Sequence, residues 1–326
     1  MGQCSEMEKL LERLADGRFH SGEELGEELG ISRAAIWKKL KALEELGLNL
    51  DSVRGRGYRL GSGIELLNAD TIVAGLERDV RNRVKLHTCL STVSTNDLVR
   101  ELGESTPDNI CFCLAEHQSG GRGRRGRSWS SPFGSTINLS LRWQIGEGVA
   151  SLEGLSLAVG LAVLKALEAS GARDLQLKWP NDILWHYRKL AGILLEVHGD
   201  PTGECEVVIG IGINIKLSTE QLQAIGQPAV DLHGVIGKSV SRNEVVSHLI
   251  NTLCHMLDGF QSGGFALFRE QWKEHDAFLG QQVTLEASGR SVKGVCRGVN
   301  DQGGLLLETG QGITVFNGGE VSLRRS

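Results

Sequence analysis

Apolar positions fall three and four apart through the N-terminal part of the chain, the period of an amphipathic helix. "EMEKLLERLADG" sets Leu10, Leu11 and Leu14 on one face and stops at Gly17. "SGEELGEELG" opens at Ser21, whose hydroxyl suits a helix start followed by acids, and it spaces Leu25 and Leu29 four apart. Gly30 turns the chain, and Ser32 caps a third helix, "RAAIWKKLKALEELG", with Ile36, Leu40 and Leu43 inward. "VRGRGYRL" (53–60) then reads as a hairpin, so the segment has the pattern of a helix-turn-helix with a wing. After the polar hinge "GSGIELLNAD" the hydrophobic pattern restarts, which puts a domain boundary near residues 61–66.

From about residue 84 the rhythm changes to strands. Strands are predicted at 109–118, 135–143, 175–179, 190–199 and 206–215, with one long apolar helix over 152–172. A mixed sheet with helices on one side is the economical α+β solution. Residues 242–260 and 264–279 read as helices, and 281–324 as short strands with glycine-rich turns, a small β-barrel. The predicted division is 1–62, 67–275 and 276–326.

Composition adds limits. A chain of 326 residues suggests two or three domains, and 40% hydrophobic with 23% charged residues is that of a soluble globular protein. Seven cysteines, Cys4, Cys89, Cys111, Cys113, Cys205, Cys254 and Cys296, form no CxxC pair and fit a reducing cytoplasm. No apolar run approaches the roughly 18–20 residues of a membrane span, and the N-terminus lacks the profile of a signal peptide. "MGQCSE" misses an acylation signal because Glu6 occupies the hydroxyl position.

A net charge of −5 argues against wholesale coating of nucleic acid, but the charge is unevenly spread. Glu6 to Gly30 holds eight acids and three bases, whereas Ile31 to Leu60 holds seven bases and three acids. The basic share falls on the third helix and the wing, where phosphates would lie. Ser32, Arg33, Ala34, Trp37 and Lys38 are the candidates for the groove side, with Arg54 and Arg56 on the wing.

The central segment holds the candidate chemistry. "VSTNDL" reads as a strand end and helix start, with Ser94, Thr95 and Asn96 offering hydroxyl, amide and backbone donors; the bland alternative is a plain cap. "KWPND" breaks a strand at Pro180 and turns Asn181 and Asp182 outward, toward a polar or metal-bound ligand. Lys189 precedes an apolar strand, where it could meet an anion or merely cover an edge. "GGRGRRGRSW" (120–129) packs four arginines and four glycines into ten residues. It lacks the GxxxxGK[ST] frame of a P-loop, and its glycines lead into no helix as a dinucleotide fingerprint requires. It therefore reads as an anion-binding loop for a phosphate or carboxylate, with freedom to close over a ligand.

"STN", "EHQSGGRGRRGRSW", "KWPND", "RKLAGILLE" and "GIGIN", in this order and spacing, closely resemble the biotin–protein ligases. The helix-turn-helix and wing in front resemble the bifunctional subgroup that is also the biotin-operon repressor. The resemblance spans essentially the whole chain and implies an SH3-like C-terminal barrel. It further implies activation of biotin by ATP to biotinoyl-5′-AMP and transfer to a lysine of the biotin carrier domain of acetyl-CoA carboxylase. By motif match, Ser94, Thr95, Asn96, Gln118, Gly121, Arg122, Gly123, Arg124 and Lys189 would contact biotin. Arg122, Asn181, Asp182, Lys189 and Asn214 fall on the ATP and adenylate side, with Lys189, Arg124 and Asp182 catalytic and Asp182 toward Mg2+. Operator DNA and a homodimer favoured by biotinoyl-AMP are the implied partners, with no membrane. His117 departs from relatives with an aromatic residue there, which would alter a wall of the biotin pocket. Residues 215–240 hold no tryptophan to cover the adenine. A lipoate-type ligase or a non-catalytic sensing transcription factor are the alternatives. The loop and "KWPND" together favour biotin, and retention of Arg124 and Lys189 disfavours a mere sensor.

Overall fold

The computed structural model describes residues 6–61, 64–102, 106, 109–145, 148–199, 205–287, 290–317 and 322–325. Residues 1–5 of the segment read against an acylation signal lie outside them, as do Ser62 and Gly63 of the hinge.

Helices α1 (Glu6–Leu14), α2 (Gly22–Leu29) and α3 (Arg33–Glu45) precede an antiparallel hairpin, β1 (Leu50–Val53) and β2 (Gly57–Leu60). The local chemistry explains the turn. Ser21 and Glu24 form a capping box on α2, Gly30 ends it in the left-handed region (φ 68°), and Ser32 accepts the Ala35 N–H at 3.2 Å to start α3. Leu10, Leu11, Leu14, Leu25, Ile36, Leu40 and Leu43 make the core of this head.

Helices α4 (Ala69–Ala74) and α5 (Arg78–Arg81) lead to β3 (Val84–Thr92), α6 (Thr95–Glu101), β4 (Ile110–Gln118) and β5 (Thr136–Ile145). Then come α7 (Leu155–Ala169), β6 (Leu175–Lys178), β7 (Asp182–Trp185), β8 (Arg188–Gly199) and β9 (Cys205–Asn214). These strands form a seven-stranded sheet, order β3-β4-β5-β9-β8-β7-β6, parallel only between β3 and β4. After α8 (Thr219–Ala224) and α9 (Leu232–Ile236), α10 (Arg242–Gly263) packs with α7 on one face of the sheet. Short α6 covers part of the other face, through Val99 against Cys111, Cys113 and Val208, so helices lie on both sides rather than one.

Two helices are shorter than their apolar patterns suggest. The 152–172 helix splits into a 3-10 turn at Val149–Leu152 and α7, because Gly154 sits at φ 76° with Phe265 pressed where a Cβ would be. The 264–279 helix is interrupted at Gly264 (φ 62°) and survives as α11 (Arg269–Glu274). Contrary to the reading that no run is long enough, Ala150–Ala169 is apolar and long enough to cross a membrane by length and composition. It is apolar all round because sheet and α10 bury it on several sides.

Strands β10 (Gln282–Ala287), β11 (Arg290–Val299), β12 (Leu305–Thr309), β13 (Gly312–Phe316) and β14 (Ser322–Arg325) form an SH3-like antiparallel sheet, order β13-β12-β11-β10-β14. It is tied to "KWPND": the buried Trp179 donates Nε1–H to Gly303 O at 2.9 Å.

Candidate active site

The sheet face under α6 is built of small and polar residues between apolar ones that point to the core. On β9, Ile209, Ile211 and Ile213 are buried, and the intervening Gly210 and Gly212 face the site. Neither glycine has room for a side chain. A Cβ on Gly210 would lie 2.3 Å from Asn96 Oδ1, and one on Gly212 2.3 Å from the Trp129 ring.

A polar chain runs across this face. Gln118 Oε1 accepts the Thr95 N–H (2.8 Å) and Oγ1–H (3.1 Å), and Gln118 Nε2 donates to Asn138 Oδ1 (3.3 Å). Ser140 Oγ lies 2.7 Å from Thr95 Oγ1 and 2.6 Å from Asn96 Oδ1, and Asn96 Nδ2 donates to Glu196 (2.7 Å). Ser94 occupies the N-cap of α6 but its side chain makes no capping bond, so the plain-cap alternative does not hold.

The arginine–glycine loop folds back on itself. Gly123 N–H donates to Arg127 O (2.7 Å) and Trp129 N–H to Gly121 O (2.8 Å), with Arg125 (φ 59°) and Gly126 (φ 69°) at its tip. Arg122 forms a bidentate pair with Asp97 (2.7 and 2.8 Å) and also meets Glu196. That bonding holds Asp97 below its ordinary pKa and raises that of Arg122, whose charge is thus spent inside the protein. Arg124 points inward, 3.4 Å from Asn181 Oδ1. Burial, then the Arg125 charge, pushes its pKa down, so this cation gains from an anionic ligand.

On the far wall Asn181 Nδ2 donates to Ile193 O (2.6 Å) and the Lys189 ammonium lies 2.7 Å from Asp182 Oδ1. Lys189 is placed by its backbone, which exchanges hydrogen bonds with Pro228 O (2.9 Å) and Val230 N–H (3.0 Å). Ser94, Thr95, Asn96, Gln118, Arg122, Gly123, Arg124, Asn181 and Lys189 all line one narrow cavity of about 60 Å³. Asp182 reaches it only through Lys189. Gly121 and His117 instead line a neighbouring cavity of about 970 Å³, which shares Gln118 and Trp129 with the first. His117 accordingly walls this larger space, not the narrow one, and bonds Ser91 Oγ at 2.9 Å. Asn214 lines neither: it is buried and donates to Val230 O at 3.1 Å. Trp129, Asn138, Ser140 and Glu196 were not singled out in the sequence. The alternation of glycine with isoleucine in "GIGIN" was the one available signal for the sheet face.

In the head, Ser32, Arg33, Ala34, Trp37, Lys38, Arg54 and Arg56 are all exposed. Two of the seven bases are paired away, Lys39 with Glu6 (3.0 Å) and Arg59 with Asp51 (2.8 Å). Among the described residues, the one cluster of three metal-ligating groups is Glu77, Asp79 and His255, and none of them lines either cavity.

The "Biotin/lipoate A/B protein ligase family" matches residues 89–214, an "HTH domain" residues 6–59, and the "Biotin protein ligase C terminal domain" residues 278–324. The bifunctional ligase/repressor BirA of Salmonella typhimurium is 40% identical over 315 residues, covering 97% of this chain and 96% of the relative. That of Escherichia coli is 39% identical over 317 residues, again 97% and 96%. The solved biotin protein ligase of Aquifex aeolicus in complex with biotin and ATP superposes with a TM-score of 0.64 at 29% identity, covering 74% of this chain and 99% of that one. The chain belongs to the biotin protein ligase family, in the form that carries a DNA-binding head.

Proposed function

We propose that the chain joins biotin to ATP and then transfers biotin to one lysine of the biotin carrier domain of acetyl-CoA carboxylase. The observation that carries this reading is the meeting of Arg124 and Lys189 beside Gln118, Thr95 and Asn96 in one narrow cavity, with Asp182 paired to Lys189. In the first step a biotin carboxylate oxygen attacks the α-phosphorus and pyrophosphate leaves. Two anions must meet, so positioning and fixed positive charge supply most of the catalysis. Arg124 and Lys189 provide that charge, while Thr95, Asn96 and Gln118 orient biotin with groups already fixed by one another. In the second step the acceptor lysine amine attacks the acyl carbon and AMP leaves, which needs no enzyme nucleophile.

The larger cavity, with Gly121, Ser128, Lys216 and Leu217 in its walls, is our assignment for the nucleotide. Ser94, Gly123 and Arg122 complete the biotin wall, Asn181 belongs to the adenylate side, and Asn214 acts through the backbone of Val230. Asp182 suits Mg2+ as a lone protein carboxylate, because Mg2+ commonly takes one or two carboxylates and fills its shell with phosphate and water. Bound there, Mg2+ would offset phosphate charge.

The head, residues 1–62, would bind operator DNA through Ser32, Arg33, Ala34, Trp37, Lys38, Arg54 and Arg56 as a homodimer favoured by biotinoyl-AMP. The catalytic unit would span 67–275 and the SH3-like unit 276–326, the whole acting in the cytoplasm. Separate cores in the head and sheet support the first boundary. Incubation with ATP, labelled biotin or lipoate, and the carrier domain tests the ligase reading: biotin transfer is expected, and lipoate transfer or none overturns it. Ultracentrifugation with and without biotinoyl-AMP tests the dimer, which fails if the adenylate leaves association unchanged.

A further inference from the structure

The head completes its hydrophobic core with a side chain from the catalytic sheet. Phe133 is 5% exposed and belongs to the apolar cluster of the head, with Leu10, Leu11, Leu40, Leu43, Leu48 and Leu60, not to the core cluster of the sheet. It follows Trp129 by four residues, at the end of the segment that continues from the arginine–glycine loop.

The turn carrying Phe133 is fastened on its other side to the ligand site. Ser131 Oγ accepts the Gln118 N–H at 3.1 Å, and Ser135 O accepts the N–H groups of Ile215 and Lys216, both at 3.0 Å. Gly134 donates its N–H to Glu116 O at 3.2 Å, and a Cβ on it would lie 2.6 Å from Ile64 of the segment leading out of the head. The buried Glu116 carboxylate takes the Leu67 N–H and the Arg242 guanidinium (2.7 Å), holding that segment to the sheet two residues before Gln118. Only Pro132, with its fixed φ, stands between Ser131 and Phe133, so a displacement at one is passed to the other. Beside the turn, the cavity of about 970 Å³, walled by Leu48 and Asn49 of the head and by Gln118 and Trp129, leaves room for such a shift.

We propose that Phe133 is a positioning residue that links occupancy of the biotin pocket to the ordering of the DNA-binding head. The inference rests on the ligase reading. A ligand that draws Gln118 and Trp129 together fixes Ser131, and Phe133 then restrains the helices whose core it completes. Reciprocity requires the head to affect ligand affinity by the same factor.

Hydrogen exchange of the full chain, with and without biotin and ATP, tests this. In the wild type, ligand is expected to slow exchange at the pocket (118–131 and 189–194) and, by about fivefold or more, at residues 36–43 and 50–60 of the head. Phe133→Ala should keep the pocket response and lose that of the head, and Phe133→Leu should restore it. If the head already exchanges freely in Phe133→Ala without ligand, Ser131→Ala decides. That change cuts the bond to Gln118 without touching the core of the head, and should at least halve the head response. An undiminished head response in the deciding variant, or a wild-type pocket response with none in the head, overturns the link alone. No pocket response in the wild type overturns the ligase reading and the link with it.

Discussion

The Lys189 ammonium lies 2.7 Å from the Asp182 carboxylate, in a cavity also lined by Arg122, which is paired with Asp97, and by Arg124, which forms no ion pair among the described residues. Lys189 is thereby held in one place before substrate arrives. Removing it by Lys189→Met should lower the rate of adenylate formation by about 10²–10³-fold, the usual cost of one preorganised charge. Asp182→Asn should cost less in the absence of Mg2+ than in its presence. Pyrophosphate release in a single turnover, with Mg2+ varied, measures both.

Gly212 offers a test of pocket shape independent of charge. Its Cβ would lie 2.3 Å from the Trp129 ring, which is confined by the Nε1–H bond to Asn138 (3.2 Å). Gly212→Ala should therefore push Trp129 into the cavity and raise the Kd for biotin by tenfold or more, the equivalent of about 1.4 kcal/mol of lost binding. Calorimetric titration with biotin alone checks it, and unchanged affinity counts against the assignment of this face.

Arg124 reaches from the loop to Asn181, which on the proposed reading closes the adenylate side. Arg124→Gly should speed loss of biotinoyl-AMP from the protein and biotinylate lysines of bystander proteins, while α1 to α3 remain folded. Retention of the adenylate on a desalting column at the wild-type rate would falsify the role of the loop as a cover.

Asp276 gives a stability prediction with a defined sign. Burial pushes its carboxyl up to about 6 from an ordinary value of 3.8, despite hydrogen bonds from the Phe278 N–H and the Cys296 thiol. Between these values the folded chain keeps a proton that the unfolded chain has lost, so stability falls as pH rises through that window. The penalty is complete above about pH 6 and amounts to ~3 kcal/mol at most. Asp276→Asn should melt higher than the wild type at pH 7 to 8, with the difference vanishing near pH 4. Melting curves across pH 4–8 provide the measurement.

The head was legible in sequence because its signals are local: Ser21, Gly30 and Ser32 set caps and turns through neighbours within four residues. The gathering of Thr95, Gln118, Arg124 and Lys189 in one cavity was legible too, since each sits at a strand end or in the segment just beyond it. The inner surface of that cavity was not. Ser140, Asn138 and Glu196 enter through the register of β5 and β8, which pairs residues far apart in the chain. Asn214 lies apart from both cavities for the same reason, because pairing across the sheet turns its amide toward Val230. Arg122, read as a cation for the ligand, is held by Asp97 and Glu196 from two other elements, a neutralisation that no local pattern announces.

The bond from Trp179 to Gly303 joins the strand that leads into Asn181 and Asp182 to a turn of the C-terminal sheet. Gly303 is itself wedged against Gly154 at the mouth of the core helix, where a Cβ would lie 2.7 Å from Gly154 Cα. Shortening the chain ahead of residue 300 would strand a buried indole N–H in an apolar wall and uncover the start of α7. The two sheets, which share one apolar core, are thus expected to unfold as one cooperative unit, the terminal strands supporting a narrow cavity that none of their described residues lines.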